Sequence, residues 1–168
     1  MLEANGNTAE GQAAKGWVMA EKYQPGLLHN KICLVTGGTA GIGKVTATEL
    51  ASKGAQVVIA GRNSAKTEEV VKEIKSASGN AQVDYLLGDF TDLDQVRELA
   101  KTFQARWDRL DVLVNNAGAF INRRQDTVYG VEKTFLVNYL APFLLTNLLL
   151  LTIRASAPAR IVNRCPLR

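Results

Sequence analysis

Five short runs rich in β-branched and other apolar residues, at 32–36, 56–60, 83–87, 111–115 and 160–163, alternate with longer stretches of helical period. Few folds can accommodate that alternation. Each run is nearly continuous in apolar residues, as strands of a parallel sheet covered on both faces should be. The first intervening helix is expected to start in the glycine run at Gly41 and stop at Lys53-Gly54. The second, over 65–77, carries Val70, Val71, Ile74 and Ala77 on one stripe and ends at Gly79-Asn80. The third opens after Thr91-x-x-Asp94, close to a capping box, and turns Leu93, Val96, Leu99, Ala100, Phe103 and Trp107 inward. A fourth, over 131–155, is apolar almost all round and predicts a helix pressed between the sheet and a neighbouring surface. Strand, helix and parallel strand in repetition, with right-handed crossovers, predict one three-layer α/β domain with a doubly wound parallel sheet in the order 3-2-1-4-5.

Composition agrees with a single packed domain: 168 residues, 46% of them hydrophobic. The first 29 residues, rich in Gly, Ala and Asn, read as an appendage with a short helix around 13–22; residues 30–163 read as the domain and 164–168 as an aberrant tail. Twenty Lys and Arg against 16 Asp and Glu leave a net charge of +4, but the signs alternate and form no basic block, so nucleic acid is not an expected partner. Cys33 lies inside an apolar run, far in sequence from Cys165, which suggests buried or idle thiols and a reducing, cytoplasmic setting. Residues 1–15 lack the basic start and apolar core of a secretory signal. The most apolar segment, 137–153, is broken by Asn138, Pro142, Thr146, Asn147 and Thr152, and reads as a buried helix rather than a membrane span. No metal-ligand spacing is evident, and none is expected to matter.

The first strand delivers Thr36-Gly37-Gly38-Thr39-Ala40-Gly41-Ile42-Gly43 at a strand-to-helix junction. Gly37 permits a tight exit from the strand, Gly41 lets backbone amides approach a phosphate, and Gly43 lets the helix lie close on the sheet. The free N–H groups and partial positive charge of the helix start suit a pyrophosphate. This run resembles the Thr-Gly-x-x-x-Gly-x-Gly motif of the short-chain dehydrogenases/reductases, and further matches follow in order. Asp89-Phe90 is similar to the family's acidic adenine contact, although Asp89 on its own reads more readily as a loop or capping residue. Asn115-Asn116-Ala117-Gly118 matches the family's Asn-Asn-Ala-Gly signature, with Asn115 placed to tie neighbouring strands and Gly118 to clear space. Asn138 aligns with the helix-borne asparagine of the family's catalytic site; by itself it could be a buried amide bonded to backbone. The resemblance spans about 31–163 and is nearest the retinol-dehydrogenase-like branch. It implies a Rossmann-type fold lacking the family's last strands and helices, an alcohol/carbonyl substrate, and a homo-oligomeric full-length parent.

The second strand ends Ile59-Ala60-Gly61-Arg62-Asn63, with no acid until Glu68. An acid there would accept hydrogen bonds from the adenosine ribose of NAD and repel the additional phosphate of NADP. Arg62 offers the opposite charge on a planar fork, and Asn63 follows it, so NADP(H) is expected in preference to NAD(H). Thr36, Thr39, Ala40, Ile42, Asn116 and Ala117 complete the expected dinucleotide contacts.

The family's chemistry uses a serine just after strand five and a Tyr-x-x-x-Lys pair beyond it, the lysine favouring phenolate in a group that titrates near 10 unperturbed. After Asn163 this sequence continues Arg164-Cys165-Pro166-Leu167-Arg168, so a truncated, inactive chain is expected, or one serving as a non-catalytic NADP-binding or interaction module. Tyr129-Gly130-Val131-Glu132-Lys133 spells Tyr-x-x-x-Lys literally, but it precedes Asn138 and reads as coincidence. His29, the single histidine, and Cys165 have no partner at a telling spacing and read as inert. Strand five is expected to be an apolar edge, and the fourth helix to keep an exposed apolar stripe.

Overall fold

A computed structural model describes residues 26–164. The stretch proposed as an N-terminal helix and Cys165 both fall outside the described residues. Five parallel strands, β1 (Ile32–Thr36), β2 (Gln56–Gly61), β3 (Val83–Leu87), β4 (Val112–Asn115) and β5 (Arg160–Asn163), form one sheet in the order β3-β2-β1-β4-β5. This is the expected order. The connecting helices are α1 (Gly41–Ser52), α2 (Ser64–Ser78), α3 (Leu93–Arg106) and α4 (Lys133–Ala155), the last containing a π-helical turn at Leu136–Leu140.

The pleat divides the central strands between two apolar layers. Leu34, Val58, Ala60 and Leu113 pack with Phe103, Leu145 and Leu149 of α3 and α4, whereas Cys33, Val35, Val57 and Ile59 pack with Ala47, Val70 and Ile74 of α1 and α2. Burying such side chains stabilises the fold by roughly 1.5–3 kcal/mol each, which explains why strands in the middle of the sheet need apolar residues on both faces. β5, at the edge, differs: all four of its residues are exposed, including Ile161 and Val162. Buried in its apolar layer, the Cys33 thiol is pushed up to about 12 by desolvation, with the negative charge of Asp111 adding to the effect, so it stays protonated and unreactive at neutral pH.

Local details depart from expectation at the element ends. α3 is capped by Asp92, whose carboxylate accepts from the backbone N–H of Asp94 (2.9 Å), rather than by Thr91. Thr91 instead donates its own N–H to Asp89, which tightens the turn and leaves Asp92 at the helix start. α4 begins at Lys133, later than expected, because Glu132 bridges to Asp126 and then caps the helix by accepting from the N–H of Phe135. Nor is α4 buried all round. Leu136, Val137, Ala141, Leu145, Leu149 and Ile153 form its core face, while Phe135, Tyr139, Phe143 and Leu151 stand in solvent.

At the N-terminal end of the central strands, Asp111 is buried and accepts from the N–H of Ile32 (2.9 Å), from Lys31 Nζ (2.9 Å) and from two nitrogens of Arg109 (2.9 and 2.6 Å). Burial alone would raise its pKa; these bonds and charges outweigh burial and hold the carboxyl at about 2. A carboxyl depressed in the folded state stabilises the fold above its unfolded value near 3.8, and that stabilisation disappears as pH falls towards 2. Asp111→Asn should therefore lower the unfolding free energy at neutral pH by about 2 kcal/mol. Urea denaturation of both proteins across the acid range checks this: the gap between them should shrink below about pH 4.

Candidate functional site: a dinucleotide cleft at the sheet's C-terminal edge

The topology places a switch point beside β1, where the chain runs outward through β2 and β3 on one side and crosses back to β4 on the other; in open α/β sheets ligands bind in the crevice at that point. Here the crevice is a cleft of about 390 Å³ lined by Gly37, Ala40, Gly41, Ile42, Gly43, Asn116, Ala117, Gly118 and Arg164. Its floor is fixed by Thr36. The hydroxyl donates to the carbonyl of Val114 (3.3 Å) and accepts from the N–H groups of Asn116 and Ala117 (both 3.0 Å). Asn116 returns the link, its Nδ2 donating to the carbonyls of Thr36 (2.9 Å) and Gly37 (3.2 Å). The glycine loop and the turn after β4 are thereby held as one unit.

Two glycines are explained by close approach and one by ligand space. A Cβ on Gly43 would lie 2.3 Å from Asn116 Nδ2 and from the Gly37 carbonyl oxygen; one on Gly37 would lie 2.9 Å from Ala117 Cα. Gly41, at φ +51°, would meet nothing within 4 Å, so its backbone faces open cleft. No side chain caps α1, leaving its first N–H groups and the positive end of its dipole turned towards the cleft. That surface suits an anion. The buried Oδ1 of Asn116 has no hydrogen-bond partner among the described residues, an acceptor left over in the cleft wall.

The other expected site residues fall into distinct groups. Thr39 sits against Gly61, its Cγ2 being 2.7 Å from where a Cβ would stand there, and so carries the glycine loop up to the end of β2. Arg62 follows immediately, exposed and without an ion pair or hydrogen bond among the described residues. Asn63 spends its side chain capping α2, accepting from the N–H of Lys66 (2.9 Å). Asp89 lies just beyond β3 on the same sheet edge, its carboxylate accepting from the N–H of Thr91 (2.8 Å). The Phe90 ring is in the core and does not line the cleft. Asn115 ties strands as expected, donating to Asn163 Oδ1 (2.9 Å) and to Thr146 Oγ1 (3.0 Å).

Asn138 occupies the π turn of α4 and pairs with the backbone of one residue in the turn after β4: it accepts from the N–H of Ala119 (2.8 Å) and donates to the carbonyl of Ala119 (2.9 Å). π turns interrupt regular helices frequently at functional positions. Gly118 is fitted to this arrangement, since a Cβ there would stand 3.2 Å from Asn138 Oδ1. The Tyr129 hydroxyl, by contrast, is committed at the start of α3, accepting from the N–H of Leu93 (2.9 Å) and donating to Asp92 (3.1 Å). His29 packs against Gly26 and Gly54, away from the cleft. Arg164, which the sequence alone places in a tail, also lines the cleft. Its signal lies in register: Asn163 pairs with Asn115, so the following residue must emerge next to Asn116, and the Arg164 N–H bonds to the carbonyl of Asn115 (3.0 Å).

Glycine loop, uncapped helix start and switch-point cleft together define a Rossmann-type dinucleotide-binding domain. The sequence profile of the short chain dehydrogenases matches residues 31–166, and the chain belongs to that family. It is 46% identical to human retinol dehydrogenase 11 over 136 residues, which cover 81% of this chain and 43% of that protein. Against human polyprenol dehydrogenase the identity is 42% over 138 residues, 80% of this chain and 42% of the other. Among solved structures, the RhlG/NADP active-site complex from Pseudomonas aeruginosa aligns with a TM-score of 0.69 at 31% identity, covering 83% of this chain and 56% of that one. The short chain dehydrogenase from Shigella flexneri also aligns at 0.69, with 29% identity, 83% and 57%. The chain thus spans less than half the length of these curated relatives.

Substitution at the two helix-start glycines separates packing from ligand space. Gly43→Ala should cost about 2–3 kcal/mol through overlap with backbone and Asn116, whereas Gly41→Ala should cost only about 1 kcal/mol for its positive φ. Thermal denaturation monitored by circular dichroism checks the ranking.

Proposed function

We propose that this chain binds NADP(H) in preference to NAD(H), as the cofactor-holding part of an oxidoreductase acting on an alcohol/carbonyl pair, and that alone it holds the dinucleotide without turning it over. The observation that carries the cofactor choice is Arg62, an unpaired guanidinium at the end of β2, where an acid would be needed to favour NAD. Its fork suits the additional phosphate of NADP, and the neighbouring Gly61–Thr39 contact keeps it beside the glycine loop. The N–H groups at the start of α1 would hold the pyrophosphate, with Gly41 giving the close approach. Asp89 would receive the adenine edge, and Ala117 and Gly118 would flank the ribose nearer the nicotinamide, the ring that supplies or accepts hydride. The bound NADP of the RhlG complex supports the same reading.

The absence of turnover rests on where the hydroxyl and amine candidates are. From Asn138 onwards the sequence contains no lysine, one tyrosine, Tyr139, and one serine, Ser156. Ser156 is buried and its hydroxyl is spent on the carbonyl of Thr152 and the N–H of Leu110. Tyr129 is likewise tied to α3. No described tyrosine is therefore free beside the cleft with a lysine to lower its pKa.

NADPH at about 100 times its dissociation constant should raise stability by roughly 2.7 kcal/mol, seen as a higher melting temperature. Arg62→Asp should weaken NADPH binding by about 10- to 100-fold and leave NADH binding unchanged or improved, the loss expected for one charge-assisted phosphate contact. Equal losses for both nucleotides would overturn the preference. Oxidation of NADPH by the purified chain with any carbonyl substrate would overturn the claim of no turnover.

A further inference from the structure

Arg164 brings a second positive group to the dinucleotide cleft. The strand order places β4 between β1 and β5, so the start of α1 and the residue after β5 line the same cleft from two strand spacings apart, about 10 Å, with Asn116, Ala117 and Gly118 between them. Register fixes the backbone of Arg164 there: Asn163 pairs with Asn115, and the Arg164 N–H donates to the carbonyl of Asn115 (3.0 Å). Its side chain is exposed, and the guanidinium has no hydrogen bond or ion pair among the described residues. No acid lines the cleft to neutralise it. Between the two positive groups Asn116 is only 6% exposed, and its Oδ1 accepts no bond among the described residues, an acceptor suited to a ligand hydroxyl.

We propose that Arg164 is a binding residue for the diphosphate bridge of the nucleotide, holding it from the β5 side while the free N–H groups of α1 hold it from the β1 side; this rests on the nucleotide-binding reading above. A helix start supplies backbone donors and about half an elementary charge, less than a doubly charged diphosphate carries. The guanidinium adds a full charge and a planar fork matched to phosphate oxygens. A ribose hydroxyl flanking the diphosphate supplies the donor that Asn116 Oδ1 lacks. The two arginines then have separate assignments. Arg62, at the end of β2, tells one nucleotide from another by its additional phosphate, whereas Arg164 recognises the part they share. The ligand class that follows is an adenosine diphosphate, with or without a nicotinamide half.

Calorimetric titration of the full chain and of Arg164→Gln with NADPH, NADH, ADP and adenosine 2′-monophosphate tests this. The first three share the diphosphate and should bind the variant about 10- to 100-fold more weakly, the loss expected for one charge-assisted phosphate contact. Adenosine 2′-monophosphate has no diphosphate and should bind both proteins alike. Arg164→Lys should recover part of the loss, because it keeps the charge without the fork, and the gap between the parent and Arg164→Gln should narrow with added salt. Arg164 is exposed and bonded only through its backbone, so neither substitution should change the melting temperature of the unliganded chain. Unchanged affinity of Arg164→Gln for NADPH and ADP would overturn the proposal and leave the cofactor reading standing. A loss confined to NADPH, or one shared by adenosine 2′-monophosphate, would do the same. Failure of the parent chain to bind any of these nucleotides would overturn both.

Discussion

One hydroxyl governs the cleft. Thr36 has a single proton to give and two lone pairs to receive with, and all are used between β1 and β4: one bond to Val114 and two from the turn that follows. Because the group is buried, an unmade bond there would cost about 1–3 kcal/mol, which penalises any rearrangement that separates the two strand ends. Asn116 closes the junction from the other side with both of its amide protons. Only then does Gly43 become obligatory, since Asn116 Nδ2 and the Gly37 carbonyl oxygen both stand 2.3 Å from where its Cβ would lie. The glycine motif is therefore a consequence of a polar junction as much as a device for approaching phosphate.

The same pair of strands is pinned at its opposite end by Asp111, which reaches the backbone of Ile32 and gathers Lys31 and Arg109 around it. Between the two polar anchors the strands carry apolar residues such as Leu34, Val35 and Leu113, whose burial is large but non-directional. Burial drives the sheet together; the anchors decide its register. A slip of one residue would break both anchors and exchange the two apolar layers of the core, so register is specified twice over.

What could be read from sequence follows from which interactions are periodic. Strand order, helix positions and the glycine loop were legible because apolar alternation and glycine spacing repeat along the chain. The ends of elements were not, because several side chains compete for the same free N–H groups: Asp92 rather than Thr91 caps α3, and Asn63, expected at the cofactor, caps α2. Phe90 illustrates a different loss. Next to a cleft residue in sequence, it points the other way into the core, as neighbouring residues leaving a strand commonly do. Arg164 was hidden by the unfamiliar sequence around it, although strand register alone brings it to the cleft.

Tyr129 and Asn138 show why spacing cannot stand in for position. Tyr129 and Lys133 satisfy a catalytic motif letter for letter, yet the phenol is fixed at the beginning of α3 by a backbone N–H and a capping carboxylate, a site that any tyrosine on this loop would stabilise. Asn138 belongs to no local motif, yet the helix opens into a π turn around it and its amide matches both polar groups of Ala119. A π turn forfeits regular i to i−4 bonding, a cost that packing alone gives no reason to bear. Here the compensation is visible: the turn after β4, which forms one wall of the dinucleotide cleft, is held at both its ends, by Thr36 at Asn116 and Ala117 and by Asn138 at Ala119.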